Sequence, residues 1–272
     1  MMKKIILLFS FPLFFSSCEK VEYYPDNQIP YAPTIDMAHR AGGNLSFRDN
    51  TLEAVMNALP LVGGIEVDVM LSKSRTVWLS HSPKVIDCAG EQKCFSETFD
   101  SEIRDITNCN GADISYTTLE QVMQYMDQNN IRKSISIDLK GWAPCGGEGI
   151  DVEGIMRLEA EEIIRLGHKY HLNEYLLFET EIASVLKWIK EKDSSVQTYY
   201  TTFGDFERGM LQALDHGFTG ISYKSFFADE LNAGLISMLH KKGLRINAWN
   251  IPDNLHAQQL RDINCDFIQI DL

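Results

Sequence analysis

The chain is 272 residues long, with 44% hydrophobic and 23% charged residues, a composition able to bury a large core as one large domain or two small ones. Its formal net charge of −13 becomes −15 once a leader carrying Lys3 and Lys4 is set aside. That acidic balance argues against nucleic-acid binding, which depends on Lys and Arg neutralising phosphates.

Residues 1–17 read as a leader outside the fold. Met1–Lys4 is a positive n-region, Ile5–Phe15 an apolar core too short to span a bilayer as a helix, and Ser16-Ser17-Cys18 a small-residue cleavage site. A cysteine there resembles the bacterial lipoprotein signal. The resemblance implies an exported protein held by a lipidated Cys18 to a bacterial membrane, in the periplasm or at the cell surface. An ordinary signal peptide with an incidental cysteine is the alternative. Residues 18–33, punctuated by Pro25, Pro30 and Pro33, read as a tether, which leaves 34–272 as the folded domain.

Beyond the tether, strand-like and helix-like runs alternate, with no break in composition and no repeat. Strands are expected at 34–39, 63–71, 134–140, 175–180, 196–202, 217–223, 245–251 and 266–271. Between them, notable helices are expected at 52–61, 118–128, 152–166, 181–192, 206–216 and 229–242. Parallel strands with helical crossovers describe an α/β fold, a (β/α)8 TIM barrel, with 76–80 as an extra hairpin strand beside the second. The usual eighth helix has no counterpart after the last strand; either the tether covers that gap or the barrel closes imperfectly.

The chemistry concentrates between residues 34 and 83. Side chains alternate along a strand, so in 65–69 Ile65, Val67 and Val69 share one face while Glu66 and Asp68 share the other, about 7 Å apart. Two such carboxylates on a buried face repel and lose hydration, at several kcal/mol each, unless something positive lies between them. His39 closes the strand before, followed by Arg40 and Gly42-Gly43, where glycines allow close backbone approach. His81 follows the hairpin strand. Two convergent histidines suit an acid and a base near neutral pH. Asp138 and Lys140 repeat the same parity in 137–140.

His39-Arg40 with glycines behind it, Asn50-Thr51-Leu52-Glu53-Ala54, Gly64-Ile65-Glu66-Val67-Asp68-Val69 and His81 together resemble the glycerophosphodiester phosphodiesterases. The likeness covers most of the chain after the leader and implies a barrel of the phospholipase C-like type. It also implies His39 and His81 as general acid and base, Arg40 and Lys140 on the phosphate, and Glu66, Asp68 and Asp138 on one divalent cation. Trp249 stands where such proteins have a pocket-lining aromatic; a plain core tryptophan is the other reading. Oxygen-only ligands favour a hard ion, Ca2+ or Mg2+. Three carboxylates, two cations and that ion sum to +1, suited to one phosphodiester anion, against −1 without it. Three positions depart from the family's pattern. Asp138 replaces a Glu, Arg48-Asp49 replaces Pro-Glu, and His81-Ser82 replaces His-Asp.

The implied reaction is hydrolysis of a small-molecule glycerophosphodiester to glycerol 3-phosphate and an alcohol, with water or the substrate's own hydroxyl as nucleophile. Rival readings are a related phospholipase D-like enzyme acting on lysophospholipids and a non-catalytic barrel lipoprotein that binds phosphodiesters. A third is a metal-free barrel whose carboxylates pair with Lys140 and Arg40. Export permits disulfides among Cys88, Cys94, Cys109 and Cys145, in any of three connectivities, and the short intervening loop favours Cys88–Cys94. Cys265 reads as a small buried hydrophobe. The glycine-rich loop 141–149, with Trp142, reads as a lid or specificity loop. His168 and His171 lack the neighbouring carboxylate a metal site would use. Oligomeric state is not legible.

Overall fold

The computed structural model describes residues 28–30, 32–43, 47–86, 89–106, 116–141, 145, 150–225 and 231–272. The leader, Cys18, Cys88, Cys109 and Trp142 lie outside them. In chain order the elements are β1 (Ile35–Ala38), α1 (Leu52–Ala58), β2 (Gly64–Leu71), β3 (Val77–Leu79), β4 (Lys84–Ile86) and β5 (Gln92–Cys94). Next come α2 (Asp100–Ile106), α3 (Leu119–Gln128), β6 (Ser134–Asp138), α4 (Val152–Lys169), β7 (Leu176–Thr180), α5 (Ala183–Lys192) and β8 (Gln197–Thr202). The chain finishes with α6 (Phe206–His216), β9 (Gly220–Lys224), α7 (Ala233–Lys241), β10 (Arg245–Trp249), α8 (Asn254–Asp262) and β11 (Phe267–Ile270).

Eight parallel strands close on themselves in the order β1, β2, β6, β7, β8, β9, β10, β11, as the alternating pattern predicts. β3 adds to β2 in antiparallel fashion, Val69 opposite Leu79, which is the expected hairpin strand. Closure is complete. β1 pairs with β11 over four residues although no helix follows β11 among the described residues, so the expectation of imperfect closure does not hold. Of the tether, Ile29 N–H reaches His240 O at the end of α7.

Several boundaries move for physical reasons. Gly217, expected in a strand, instead caps α6 in the left-handed region (φ 64°), and β9 starts three residues later. The short polar helix α8 has no sequence prediction; Asp253 caps it by accepting from His256 N–H, and it buries only His256, Ala257 and Leu260. α2 and the β4–β5 hairpin are likewise additions, inserted between β3 and α3.

Register explains how the barrel is filled. Outward-facing Ile65, Val67 and Val69 are wholly buried in the main apolar core, at about 1.5–3 kcal/mol each for a full side chain. Inward-facing side chains form tiers. The floor is apolar: Met37, Leu177, Tyr199 and Phe267 pack together, with the Tyr199 and Phe267 rings edge to face at 6.0 Å. Above it Ser136, Glu179, Ser222 and Gln269 make a polar tier, in which Glu179 accepts from both serine hydroxyls and from Gln269 Nε2. The strands' C-terminal ends carry the charged tier.

Candidate active site

Three strand ends bring together the residues the parity argument selected. Glu66 and Asp68 are both 2% exposed. Asp68 is in register with Asp138 on β6, and one oxygen from each of Glu66, Asp68 and Asp138 lies within 4.8 Å of the others. His39, Arg40, His81, Lys140 and Trp249 line the same cleft of about 310 Å3. Every sequence-predicted site residue therefore borders one space.

The turn after β1 aims its side chains through an unusual backbone. Arg40 (φ 50°), Ala41 (φ 65°) and Gly42 (φ 77°) are successively left-handed. For the two non-glycine residues this costs roughly 1–3 kcal/mol each. Two hydrogen bonds offset it. Arg40 N–H donates to Glu66 Oε2 at 2.7 Å, and Asn50 N–H donates to Arg40 O at 2.9 Å. Gly42 is required, because a Cβ there would meet Ala58 Cβ at 2.8 Å.

His39 and His81 flank β2. His39 Nδ1 lies 3.0 Å from Asp271 Oδ1, leaving Nε2 on the side of Glu66 at 4.0 Å. Partial burial holds the His81 ring below the usual histidine range; Asp68 opposes that shift, while Lys140 and Arg40 add to it.

The carboxylates differ sharply in their company. Asn50 clamps Asp68 twice: its Nδ2 donates to Oδ2 at 2.8 Å, and its Oδ1 accepts from Asp68 N–H at 3.1 Å. Lys140 Nζ lies 2.7 Å from Asp68 Oδ1 and also bonds Asp138. Burial would raise the Asp68 carboxyl, but Lys140 and Asn50 outweigh it and hold it low. Among the described residues Glu66 accepts a hydrogen bond only from the Arg40 amide, and burial, then Asp68 and Asp138, push it well above the carboxylate range. Burial also raises Asp138, against Lys140. For Lys140 the loss of hydration is outweighed by Asp138 and Asp68, which raise it. Lys140 thus pairs with Asp68 and Asp138, as the metal-free reading expects, while among the described residues neither Lys140 nor Arg40 forms a side-chain ion pair with Glu66, whose nearest ring is His39 at 4.0 Å.

The opposite wall comes from β8–β10. Trp249 meets Phe203 edge to face at 5.8 Å, and Lys224 Nζ lies 5.1 Å from its ring centre. Trp249 belongs to this wall rather than to the closed core; its Nε1 and Thr201 Oγ1 are buried atoms with no partner among the described residues.

Asp271, Glu179, Phe203 and Lys224 received no role from the sequence. Asp271, one residue past β11, shares sequence parity with Gln269, as Glu66 does with Asp68 on β2, so the same signal was available. The favoured Cys88–Cys94 disulfide is corrected: Cys94 is bonded to Cys145. Cys94 ends β5 opposite Lys84, where it meets Cys145 of the segment after Lys140. Cys265 is free and buried, as expected. His168 Nε2 lies 2.8 Å from Asp193 Oδ2, a carboxylate distant in sequence, outside the cleft.

Polar chemistry gathered where eight strands end, above a filled apolar floor, defines the class: an enzyme on a (β/α)8 barrel. The chain belongs to the glycerophosphoryl diester phosphodiesterase family, whose profile matches residues 39–271, from His39 to the aspartate that holds its ring. It is accordingly a phosphodiesterase. Solved structures share the fold. A glycerophosphodiester phosphodiesterase of Parabacteroides distasonis matches with a TM-score of 0.68 at 18% identity, over 89% of this chain and 94% of that one. One from Thermotoga maritima matches at 0.66 and 22%, over 89% and 96%. An Oleispira antarctica phosphodiesterase, solved with the product sn-glycerol-3-phosphate, matches at 0.69 and 18%, over 88% and 93%. No curated protein matches the chain.

Proposed function

We propose that this protein hydrolyses glycerophosphodiesters to glycerol 3-phosphate and an alcohol, with one divalent cation, Ca2+ or Mg2+, held by Glu66, Asp68 and Asp138. The observation that carries the reading is the convergence of three carboxylates within 4.8 Å in a cleft lined by both histidines. Glu66 tests the fit. It is buried beside Asp68 and Asp138 with a single backbone donor among the described residues, so its ionised form calls for a cation at the cluster. Oxygen-only donors suit a hard ion. Once bound, such an ion supplies Lewis-acid stabilisation of the charge that builds on a phosphate oxygen.

The chain's own groups do the rest. Arg40 presents a guanidinium for the phosphate, its Nε 3.8 Å from Asp68 and without a hydrogen-bond partner among the described residues. Lys140 keeps Asp68 and Asp138 facing one another and adds positive charge to the phosphate site. Asn50 fixes Asp68, and Asp271 fixes His39 with Nε2 towards the cleft. One histidine takes the proton of the attacking hydroxyl as its oxygen bonds to phosphorus. The other gives a proton to the alcohol oxygen as its bond to phosphorus breaks. A bound phosphodiester anion favours the charged form of the His81 ring.

Export and an anchor at Cys18 complete the proposal, with 1–17 as leader, 18–33 as tether and 34–272 as the catalytic barrel. The support is the sequence pattern; no described helix is long and apolar enough to cross a membrane. Lipid labelling that persists in Cys18→Ser would exclude the anchor.

The reaction is tested by glycerol 3-phosphate release from a panel of glycerophosphodiesters, with EDTA and then with Ca2+ or Mg2+ restored. Release should vanish with EDTA and return with one metal. It should fall about 10²-fold or more in His39→Ala and in His81→Ala with the fold intact. Near-wild-type rates in both variants would sink the acid–base assignment, and release unaffected by EDTA would sink the metal.

A further inference from the structure

A second cavity, of about 180 Å3, opens beside His81 outside the main cleft. His81 lines both spaces, and the outer groove is walled by Arg48, Asp49, Ser80, Ser82 and Tyr116. Its floor is preformed. Ser80 Oγ donates to Ser82 O at 2.9 Å, while Ser82 Oγ donates to Lys84 O and accepts from Lys84 N–H, both at 3.1 Å. The Arg48 guanidinium lies over the Tyr116 ring, 5.6 Å from its centre, which holds the cation along the groove wall. Asp49 is the one carboxylate among the described lining residues, and Arg40 Nη1 engages it at 3.3 Å.

Arg48 is exposed at the groove, and the residue after His81 is a neutral serine, so the lining carries a cation at 48 and no acid at 82.

The geometry points to this groove as the subsite for the alcohol half of the substrate, selective for an alcohol bearing its own anionic group, a carboxylate or a phosphate. The inference rests on the hydrolytic reading above. In displacement at phosphorus the attacking and leaving oxygens stand roughly in line, on opposite sides. His39 lies on the Glu66 side, beside Asp271, while the outer groove adjoins His81. His81 then serves the leaving oxygen. The bond between phosphorus and that oxygen breaks, the oxygen takes a proton from His81, and the alcohol passes into the groove as His39 holds the attacking hydroxyl's proton. Arg48 meets the anionic substituent there with a planar, two-pronged donor set, and it repels a cationic alcohol.

The test compares kcat/KM for glycerophosphoserine and glycerophosphoethanolamine, whose alcohols differ by one carboxylate, using the mature protein with divalent metal supplied. The wild type should favour the serine diester by about tenfold or more, the worth of one charge-assisted hydrogen bond. That ratio should fall towards one in Arg48→Ala and invert in Arg48→Glu. It should also fall in Ser82→Asp, which adds an acid to the groove and leaves Arg48 in place. A ratio unmoved by all three substitutions, or a wild-type preference for the ethanolamine diester, overturns the subsite and leaves hydrolysis standing. No glycerol 3-phosphate from either diester in the wild type overturns hydrolysis and the subsite together.

Discussion

On the β1–β2–β6 side of the cleft, charged side chains are held by groups from other parts of the chain. Asp271 holds His39, Asn50 and Lys140 hold Asp68, and the Arg40 amide holds Glu66. On the β8–β10 side the contacts are looser: Phe203 is 56% exposed and touches Trp249 edge-on, and Thr201 Oγ1 and Trp249 Nε1 have no partner among the described residues. The first wall is organised before any ligand arrives, which is what charge stabilisation requires. Its cost is like charge crowded out of water. The second wall carries little such cost and leaves polar atoms for an organic group to satisfy.

Glu66→Gln breaks the first wall and should have the largest effect. Turnover should drop by more than about 10³-fold, in line with the several kcal/mol that a bound metal contributes to charge stabilisation. The same variant should melt higher than wild type when both are treated with EDTA at neutral pH, because folding no longer has to bury, beside Asp68 and Asp138, a carboxyl whose charged form is disfavoured there. Calorimetry with and without metal reads both halves. An EDTA-treated variant that melts lower than wild type would show that Glu66 is structural rather than a frustrated ligand.

A smaller effect separates the mouth from the tier beneath it. Glu179 is buried too, yet three neutral donors satisfy it. Burial, with the charge of Asp138, still pushes it up to about 7 from an ordinary 4.5. A carboxyl raised on folding contributes its stability below the unfolded value and loses it as pH rises through the folded one. The metal-free protein should therefore lose up to about 3 kcal/mol between pH 5 and 8 from this group. Glu159 on α4, raised to about 8 by burial and Asp138, adds a loss of the same sign at higher pH. Glu179→Gln should flatten the lower part of that decline in denaturant titrations; an unchanged slope would mean the carboxyl stays ionised throughout.

The contrast between walls also accounts for what the sequence disclosed. Strand parity exposed Glu66, Asp68, Asp138 and Lys140, because carboxylates on a buried face contradict the surrounding pattern and need a reason. The same parity in 267–271 pairs Gln269 with Asp271, and in 177–181 pairs Leu177 with Glu179 and Glu181, but neither run stands beside a histidine in sequence. Their role follows from barrel closure, which brings the last strand against the first and Asp271 to His39 across 232 residues. The aromatic wall was legible only at Trp249, since exposed Phe203 looks like any surface aromatic. α8 went unread because a nine-residue helix burying three side chains has little periodicity to detect. The Cys94–Cys145 bridge depends on which way a hairpin faces, and loop length does not carry that information.

The smallest change is the most discriminating for the first wall. Asp138 is the least enclosed of the three carboxylates, its side chain 33% exposed against 3% for Asp68, and it bonds Lys140. One added methylene in Asp138→Glu can extend into the cleft without displacing packed atoms. Lys140, on a flexible four-carbon stem, can follow the carboxylate. If this position is a metal ligand, turnover should stay within about threefold of wild type or rise, and divalent affinity should not weaken, since the shift is well under the 1.4 kcal/mol that a tenfold change represents. If the Asp138–Lys140 pair instead only fastens β6 to β2, lengthening the acid should lower thermal stability and leave metal affinity unaffected. Melting temperature and metal titration on the same variant therefore separate a ligand that tolerates either acid from an ion pair cut to one length.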